Sequence, residues 1–341
     1  YRVRDCRRGD DVLVIDSCTV IWLVNASSGT NVRQALRRKP DTFVAVVGCS
    51  AQIGTKALQQ IDGIDLIVGT QDKLTVLDYI DEPLKNGEPR VIRNRMARTP
   101  FTIPADAALT PYTRANFNIQ DGCDCMCIFC VIPFARGRAR SRAFWDIQRE
   151  AMQLLDAGYK ELVLTGVNIG TYEFDGKNFL DVVKMLLKLP ALERLRISSI
   201  EPTTISESVL DLMADSEKLC SHLHLPLQSG SDRVLAAMRR VYSTSDFLHF
   251  IEQAERKVAD ILIGTDIMVG FPGEDDSAFE ESCELLEKSP LTYAHVFSFS
   301  ERSGTAATRL PRKVEPSVKK ARSKKLHTLS DAKKAAFYQT F

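Results

Sequence analysis

Two short runs near the start, DVLVID (11–16) and TFVAVVG (42–48), are apolar and β-rich, and the stretch VRQALRR between them repeats its apolar positions at helical spacing. That order predicts a β-α-β unit. A third run, DLIVGT (65–70), follows another helical stretch, so residues 1–80 are expected to form a small α/β domain with a parallel sheet. Residues 81–114 turn polar, carry five prolines and lose periodicity, which predicts a linker. From 115 onward six apolar segments recur: ANFNIQ, ELVLTG (161–166), RLRISS (194–199), HLHLPLQ (222–228), GTDIMVGF (264–271) and AHVFSFS (294–300). Amphipathic stretches such as DIQREAMQLLDAG, NFLDVVKMLLKL and DSAFEESCELLEK fill the gaps. The alternation predicts an α/β chain whose larger part, 115–335, is a partial (β/α)6 barrel. Glycines and polar residues gather just after the strands, in GCDCMC, GVNIG, SIEP, QSGS, GFPGE and SERSG. In a parallel barrel that end carries the active-site loops.

Composition narrows the picture without adding a partner. The chain has 341 residues with 45 Lys+Arg against 44 Asp+Glu, so any polyanion must be held by local patches rather than by a whole-molecule field. No apolar run reaches the roughly 18 residues that span a bilayer, and YRVRDCRRGDD lacks the plan of a signal peptide, so no membrane partner and a cytoplasmic location are expected. The nine cysteines are few for a disulfide framework, and four of them crowd residues 123–130, which fits a reducing compartment. The first residue is Tyr rather than Met, so a leading segment is expected to be missing or removed.

The chemistry centres on Cys123, Cys127 and Cys130, spaced C-x3-C-x2-C. Three thiolates on one loop can bind three corners of an Fe–S cube and leave the fourth iron open to an external ligand. Zinc is the competing reading, but a closed zinc site takes four ligands, usually from two separated pairs, and no second C-x2-C exists. Cys125 complicates matters, because CDCMCIFC offers four thiols on one loop. Phe129 offers a face to an adenine, or else packs against the loop.

The stretch NIQDGCDCMCIFCVIPFARGRARSR (118–142) resembles the signature of the radical S-adenosylmethionine methylthiotransferases. LVLTGVNIG, RLRISSIEP, LHLPLQSGSDRVLAAMRR, TDIMVGFPGE and FSERSGTAATRL match that family in order, and DVLVIDSCTV, GCSAQ and DLIVGTQD resemble its N-terminal domain. The resemblance implies a radical-SAM barrel that attaches a methylthio group to a tRNA adenosine or a ribosomal-protein aspartate. It implies an electron passed through the Cys123/Cys127/Cys130 cluster to S-adenosylmethionine, giving a 5'-deoxyadenosyl radical that removes hydrogen from an aromatic C–H. The electron would come from a donor such as a flavodoxin or ferredoxin. It also implies a second 4Fe-4S cluster, for which Cys18 and Cys49 match two ligands; the third has no counterpart, and Cys6, only twelve residues before Cys18, is not assigned. A second S-adenosylmethionine would supply the methyl group. The RNA-binding TRAM domain that usually follows in the family is expected to be absent from a chain ending AFYQTF.

Placed by the same resemblance, Gly166, Asn168, Ser199, Gln228, Asp266 and Arg302 are contacts for S-adenosylmethionine or substrate, while no catalytic side chain is assigned. FARGRARSR and VGTQD look most like the branch acting on N6-threonylcarbamoyladenosine at position 37, in the tRNA anticodon loop; the isopentenyladenosine and ribosomal-protein branches are the alternatives. A non-catalytic Fe–S or zinc RNA-binding protein is the rival from another class. Arg136, Arg138, Arg140 and Arg142, at every second position, would share one face of an extended segment and suit RNA phosphates, or else pair with barrel carboxylates. Residues 309–325 hold eight Lys/Arg against Glu315, by default a solvated helix face. His222 and His224 alternate with leucines and read as barrel-layer histidines, and Cys220 and Cys283 as buried small hydrophobes.

Overall fold

A computed structural model describes residues 11–18, 22–80, 83, 85, 87–103 and 113–341, so Cys6 and part of the expected linker lie outside it. The chain divides into two units, Tyr1–Arg98 with Val131–Arg138 and Thr99–Cys130 with Ala139–Phe341.

In the first unit β1 (Val12–Ser17), β2 (Phe43–Gly48), β3 (Leu66–Val68) and β4 (Arg90–Ile92) pair in that order, all parallel. The period of two divides β2 between two cores: Val44 and Val46 join Val32, Leu58 and Ile67 on one face, while Phe43, Ala45 and Val47 join Leu66, Val68 and Val76 on the other. A strand covered on both faces has no polar side, which is why FVAVVG reads as a continuous apolar run. Helix α1 (Trp22–Arg38) makes the β1–β2 crossover, and the short α2 (Cys49–Ile53) and α3 (Thr55–Leu58) lead to β3. The strand β4 falls within 81–114, expected above as linker. Its three residues are largely exposed, so no apolar run marks it.

In the second unit β5 (Arg114–Asn118), β8 (Glu161–Thr165) and β11 (Arg194–Ile197) form one parallel sheet, and β12 (His222–His224), β13 (Leu262–Val269) and β14 (Tyr293–Ser298) another. Bridges Leu195↔Leu219 and Ser199↔His224 join them, giving six parallel strands in chain order, a partial barrel. Small hairpin pairs decorate it, β6 (Gln120–Asp121) with β7 (Arg140–Ser141) and β9 (Glu173–Phe174) with β10 (Lys177–Asn178). The outer face carries the hydrophobic core: Phe117, Leu162, Leu164, Leu195, Ile197, Leu223, Ile263, Ile267 and Val296 cluster with side chains of the surrounding helices. Those helices include α5 (Phe144–Asp156), α6 (Phe179–Leu187), α7 (Glu207–Asp215), α8 (Asp232–Met238), α9 (Thr244–Lys257), α10 (Asp276–Lys288) and α11 (Pro316–Tyr338). Alternation therefore sends Arg114, Glu161, Arg194, Arg196, His222, His224, Asp266, Tyr293 and His295 inward, and the lumen is polar. Gly264 is part of this packing, because a Cβ there would lie 2.2 Å from the Tyr293 ring.

The basic run at 309–325 is not simply a solvated face. Arg322 is buried on α11, donating to Glu274 and Asp276 at 2.7 Å each, and Lys325 pairs with Glu280 at 2.7 Å. Cys283 is buried in the core as expected, but Cys220 is only half-buried and lies near Arg196 and Glu161.

Candidate functional site

Strands β5 and β6 deliver the chain, at the carboxyl end of the barrel, into the loop that carries Cys123, Cys125, Cys127 and Cys130. Gly122 and Met126 take left-handed φ values of 73° and 50°, and the Cys130 N–H donates to the Cys127 carbonyl at 3.0 Å, closing the C-x2-C half as a turn. All four cysteines are half-buried and none is in a disulfide. The Cys125 N–H donates to Cys123 Sγ at 3.4 Å. The Cys125 thiol donates there too, which pulls Cys123 below the usual thiol range and holds Cys125 far above it. The loop is pinned from outside: Ile128 N–H donates to the Met238 carbonyl at 3.2 Å, and Ala307 N–H to the Ile128 carbonyl at 3.1 Å.

Arg240 is the main polar anchor. Its side chain is 4% exposed and donates to Cys127 Sγ at 3.3 Å, to the Pro226 carbonyl at 3.3 Å, to Tyr242 and to Glu201, tying together the loops after β5, β11 and β12. Burial works against its charge, and Glu201, Tyr242 and Cys127 around it together more than restore it. Burial also pushes the Cys127 thiol up, against the pull of Arg240. A metal overrides that, since coordinating thiols are deprotonated outright. Three thiols at this spacing, with N–H donors already aimed at two of the sulfurs, fit three corners of a 4Fe-4S cluster. Sequence reasoning missed Arg240, Glu201 and Tyr242, because MRRVY reads as an ordinary helix end and SIEP only as a polar strand end.

The expected cofactor contacts fall into two groups. Gly166, Asn168, Ser199, Gln228 and Arg302 lie at or beyond the carboxyl ends of strands. Gly166 is there for close approach, since a Cβ would lie 2.6 Å from Ile169 Cγ2 and 2.8 Å from the Gln120 carbonyl. Asn168 is buried, accepting from Thr204 Oγ1 at 3.0 Å and donating toward Cys125 Sγ at 3.9 Å, so it braces the cysteine loop. Ser199 bridges to His224, and Gln228 holds a left-handed φ of 75° with its backbone bonded to Asp266 and Met268. The Arg302 carbonyl accepts from Thr305 N–H and Oγ1 in the loop after β14. Phe129 packs edge-on against Phe271, centroids 6.3 Å apart, in a cluster with Met238 and Phe299, and remains half-buried. Asp266, by contrast, sits within the lumen, where it accepts from His224 Nε2 at 2.9 Å and lies 3.5 Å from His295 Nδ1. These three present ligand atoms within 4.8 Å of one another, but the carboxylate is already shared by both imidazoles.

Below them, burial and then the Arg196 charge pull the His222 imidazole down to about 4. Its folded value lies below the unfolded 6.5, so the folded state binds fewer protons between the two. Stability is therefore expected to fall as pH drops from about 6.5 towards about 4, by at most about 3 kcal/mol. Guanidinium unfolding at about pH 7 and about pH 4.5 checks this, with His222→Gln flattening the difference.

In the first unit, Cys18 and Cys49 follow Ser17 and Gly48, which are paired in register on adjacent strands. Ser50 Oγ donates to the Cys18 carbonyl at 3.5 Å and Arg136 Nε to Cys49 Sγ at 3.4 Å. The two thiols thus stand at neighbouring strand ends.

The arginine row does not form one extended face. Arg136 caps the short helix α4 (Ile132–Ala135), and Gly137 turns the chain with φ 80°. Arg140 pairs with Asp121 at 3.1 Å and lies 5.1 Å from the Phe101 ring centroid. Arg142 is fully buried, donating to Asp146 at 2.6 Å, to the Asn118 carbonyl at 3.2 Å and to Glu150. Its role is structural.

The barrel and its three-cysteine loop define a radical S-adenosylmethionine protein, and residues 117–286 match the Radical SAM superfamily. Residues 1–69 match the Uncharacterized protein family UPF0004. The chain is 38% identical over 336 residues to the threonylcarbamoyladenosine tRNA methylthiotransferase MtaB of Bacillus subtilis, covering 97% of this chain and 74% of that protein. It is 30% identical over 336 residues to the tRNA-2-methylthio-N(6)-dimethylallyladenosine synthase of Clostridium tetani, with 96% and 74% covered. The chain belongs to the radical S-adenosylmethionine methylthiotransferase family. Among solved structures, the radical S-adenosylmethionine methyltransferase TsrM of Kitasatospora setae, with cobalamin and a [4Fe-4S] cluster bound, shares the fold at a TM-score of 0.63 and 14% identity. The match takes in 85% of this chain, which spans 64% of that structure.

Proposed function

We propose that the chain adds a methylthio group to C2 of N6-threonylcarbamoyladenosine at position 37 of tRNA. The observation carrying this reading is the difference in likeness over equal lengths: 38% to the Bacillus subtilis enzyme named for that nucleoside against 30% to the Clostridium tetani synthase named for the dimethylallyl one. The family uses a 4Fe-4S cluster and S-adenosylmethionine, for which Cys123, Cys127 and Cys130 are the proposed ligands, with a flavodoxin or ferredoxin as the class of electron donor. Bound there, the cofactors supply one-electron chemistry able to break an unactivated aromatic C–H bond, which no side chain achieves by acid–base means.

The chain's own residues position and exclude. Arg240 and Asn168 fix the cysteine loop, Phe129 with Phe271 and Phe299 closes its apolar side, and the strand ends above the polar lumen are the proposed seat of the base. Gly166, Ser199, Gln228, Asp266 and Arg302 are proposed contacts for cofactor or substrate. Cys18 and Cys49 are proposed ligands of a second cluster that supplies the sulfur, with Arg136 as a hydrogen-bond donor to Cys49. Among the described residues no helix is long and apolar enough to cross a membrane, consistent with a cytoplasmic enzyme acting on tRNA.

Mass spectrometry of tRNA nucleosides from a deletion strain tests the reading. The methylthio-threonylcarbamoyl nucleoside should disappear; its persistence, with loss of the methylthio-isopentenyl one, would overturn the choice of substrate.

A further inference from the structure

We infer that the barrel lumen carries a carboxylate-binding floor in which Arg196, braced by Glu161, takes the carboxylate of the threonylcarbamoyl group. The inference rests on the nucleoside proposed above. Arg114, Glu161 and Arg194 stand level on adjacent strands, and Arg196 is two residues further along β11. Glu161 is buried and accepts from Arg194 Nε and Arg196 Nε, each at 2.9 Å, while Arg114 Nη1 lies 3.9 Å away. Among the described residues it is the only carboxylate in ion-pair range of these three guanidiniums. The group therefore carries three positive charges against one negative, but Arg114 and Arg194 are more than half exposed to solvent, so Arg196 is the guanidinium held inside the lumen. Burial and Arg196 keep His222 uncharged at neutral pH, and burial raises the Cys220 thiol and the Tyr293 phenol.

The geometry of the arginines favours an anion of a particular shape. Each of Arg194 and Arg196 spends its Nε–H on Glu161, which fixes the guanidinium plane and leaves the Nη donors to offer a forked contact. A planar carboxylate suits that fork, whereas a point charge would not use it. Arg196 is the penultimate residue of β11, roughly 3 Å below the strand's carboxyl end at the rise of a β-strand. A threonyl arm several bonds long, attached to a base held at the strand ends, projects its carboxylate into this depth. An isopentenyl arm carries nothing to offer there and would strip water from the arginines without replacing it, so the same floor selects against it.

The test uses the reconstituted full chain with three anticodon stem-loop RNAs, bearing threonylcarbamoyladenosine, its neutral threoninamide counterpart, or isopentenyladenosine. Methylthio product and 5'-deoxyadenosine are both quantified. Wild-type protein should favour the carboxylate RNA over the amide by about 10- to 100-fold in kcat/KM, mainly through KM. Arg196→Gln should bring that ratio close to one while retaining the iron absorbance. Equal use of the carboxylate and amide RNAs by wild type would overturn the inference and leave the proposed function standing. So would a variant that weakens both equally, the result expected if the arginines hold backbone phosphate or serve only the fold. Activity confined to the isopentenyl RNA would overturn both. Should Arg196→Gln fail to fold, the wild-type comparison of the two RNAs decides by itself.

Discussion

Cys127→Ala should abolish reductive cleavage of S-adenosylmethionine and lower the iron of the anaerobically reconstituted protein by about four atoms per chain, whereas Cys125→Ser should leave both in place. The expectation follows from ligand number and from what surrounds each sulfur. A 4Fe-4S cube that must leave one iron open to its substrate takes three thiolates. Cys127 is the one that Arg240 addresses directly at 3.3 Å, and its half of the loop is closed by the turn to Cys130. Cys125 instead faces Asn168 and acts as donor to Cys123, the part of a neighbour to a ligand rather than of a ligand. A serine hydroxyl can replace that donor. Iron and sulfide analysis, with 5'-deoxyadenosine measured after dithionite reduction, checks both variants. Loss of iron in Cys125→Ser would move the assignment to a different set of three.

The second large effect lies away from the chemistry. Arg142→Met should destabilise the second unit by about 3 kcal/mol, at the lower end of the range for breaking a buried ion pair. The arginine and Asp146 are both fully buried, and Glu150 shares the guanidinium, so its removal leaves two carboxylates short of their counter-charge. Arg149 still pairs with Asp146, and the Ile103 N–H still donates to it at 3.0 Å, which softens the loss. For a unit of this size the thermal midpoint should drop by roughly 6–12 °C. Circular dichroism melts of the two proteins measure it. Replacing Asp146 and Glu150 as well, by apolar residues of similar volume, should recover much of the loss, because the penalty is an unpaired charge and not a missing contact.

Arg142 also shows where sequence reading reaches its limit. In ARGRARSR nothing distinguishes a buried arginine from an exposed one, since the partners that bury it lie four and eight residues on and in another strand. The barrel strands were legible because each carries an apolar outer face against helices, and the cysteine loop because metal-ligand spacing is local. Arg240 was not legible: its value comes from meeting Cys127, Glu201 and Pro226, which are distant in the chain. The floor of the lumen was hidden for a similar reason. Glu161 and Arg194 open their strands and Arg196 alternates with leucine and isoleucine, so in one dimension they look like isolated polar positions rather than a set. The strand Arg90–Ile92 escaped because three residues make no period.

The segment Val131–Arg138 belongs to the first unit although it follows Cys130 directly, so the backbone passes between the units at 98–99, 130–131 and 138–139. No single cut can then release either unit as an intact module. A protease nick near residue 98 would leave Val131–Arg138 joined at both ends to the second unit, and exchanging the first unit for a relative's by one fusion point would strand those eight residues with the wrong partner. Any chimera meant to transplant the first unit must be spliced in two places, with the second insert beginning at the residue after the last cysteine of the loop.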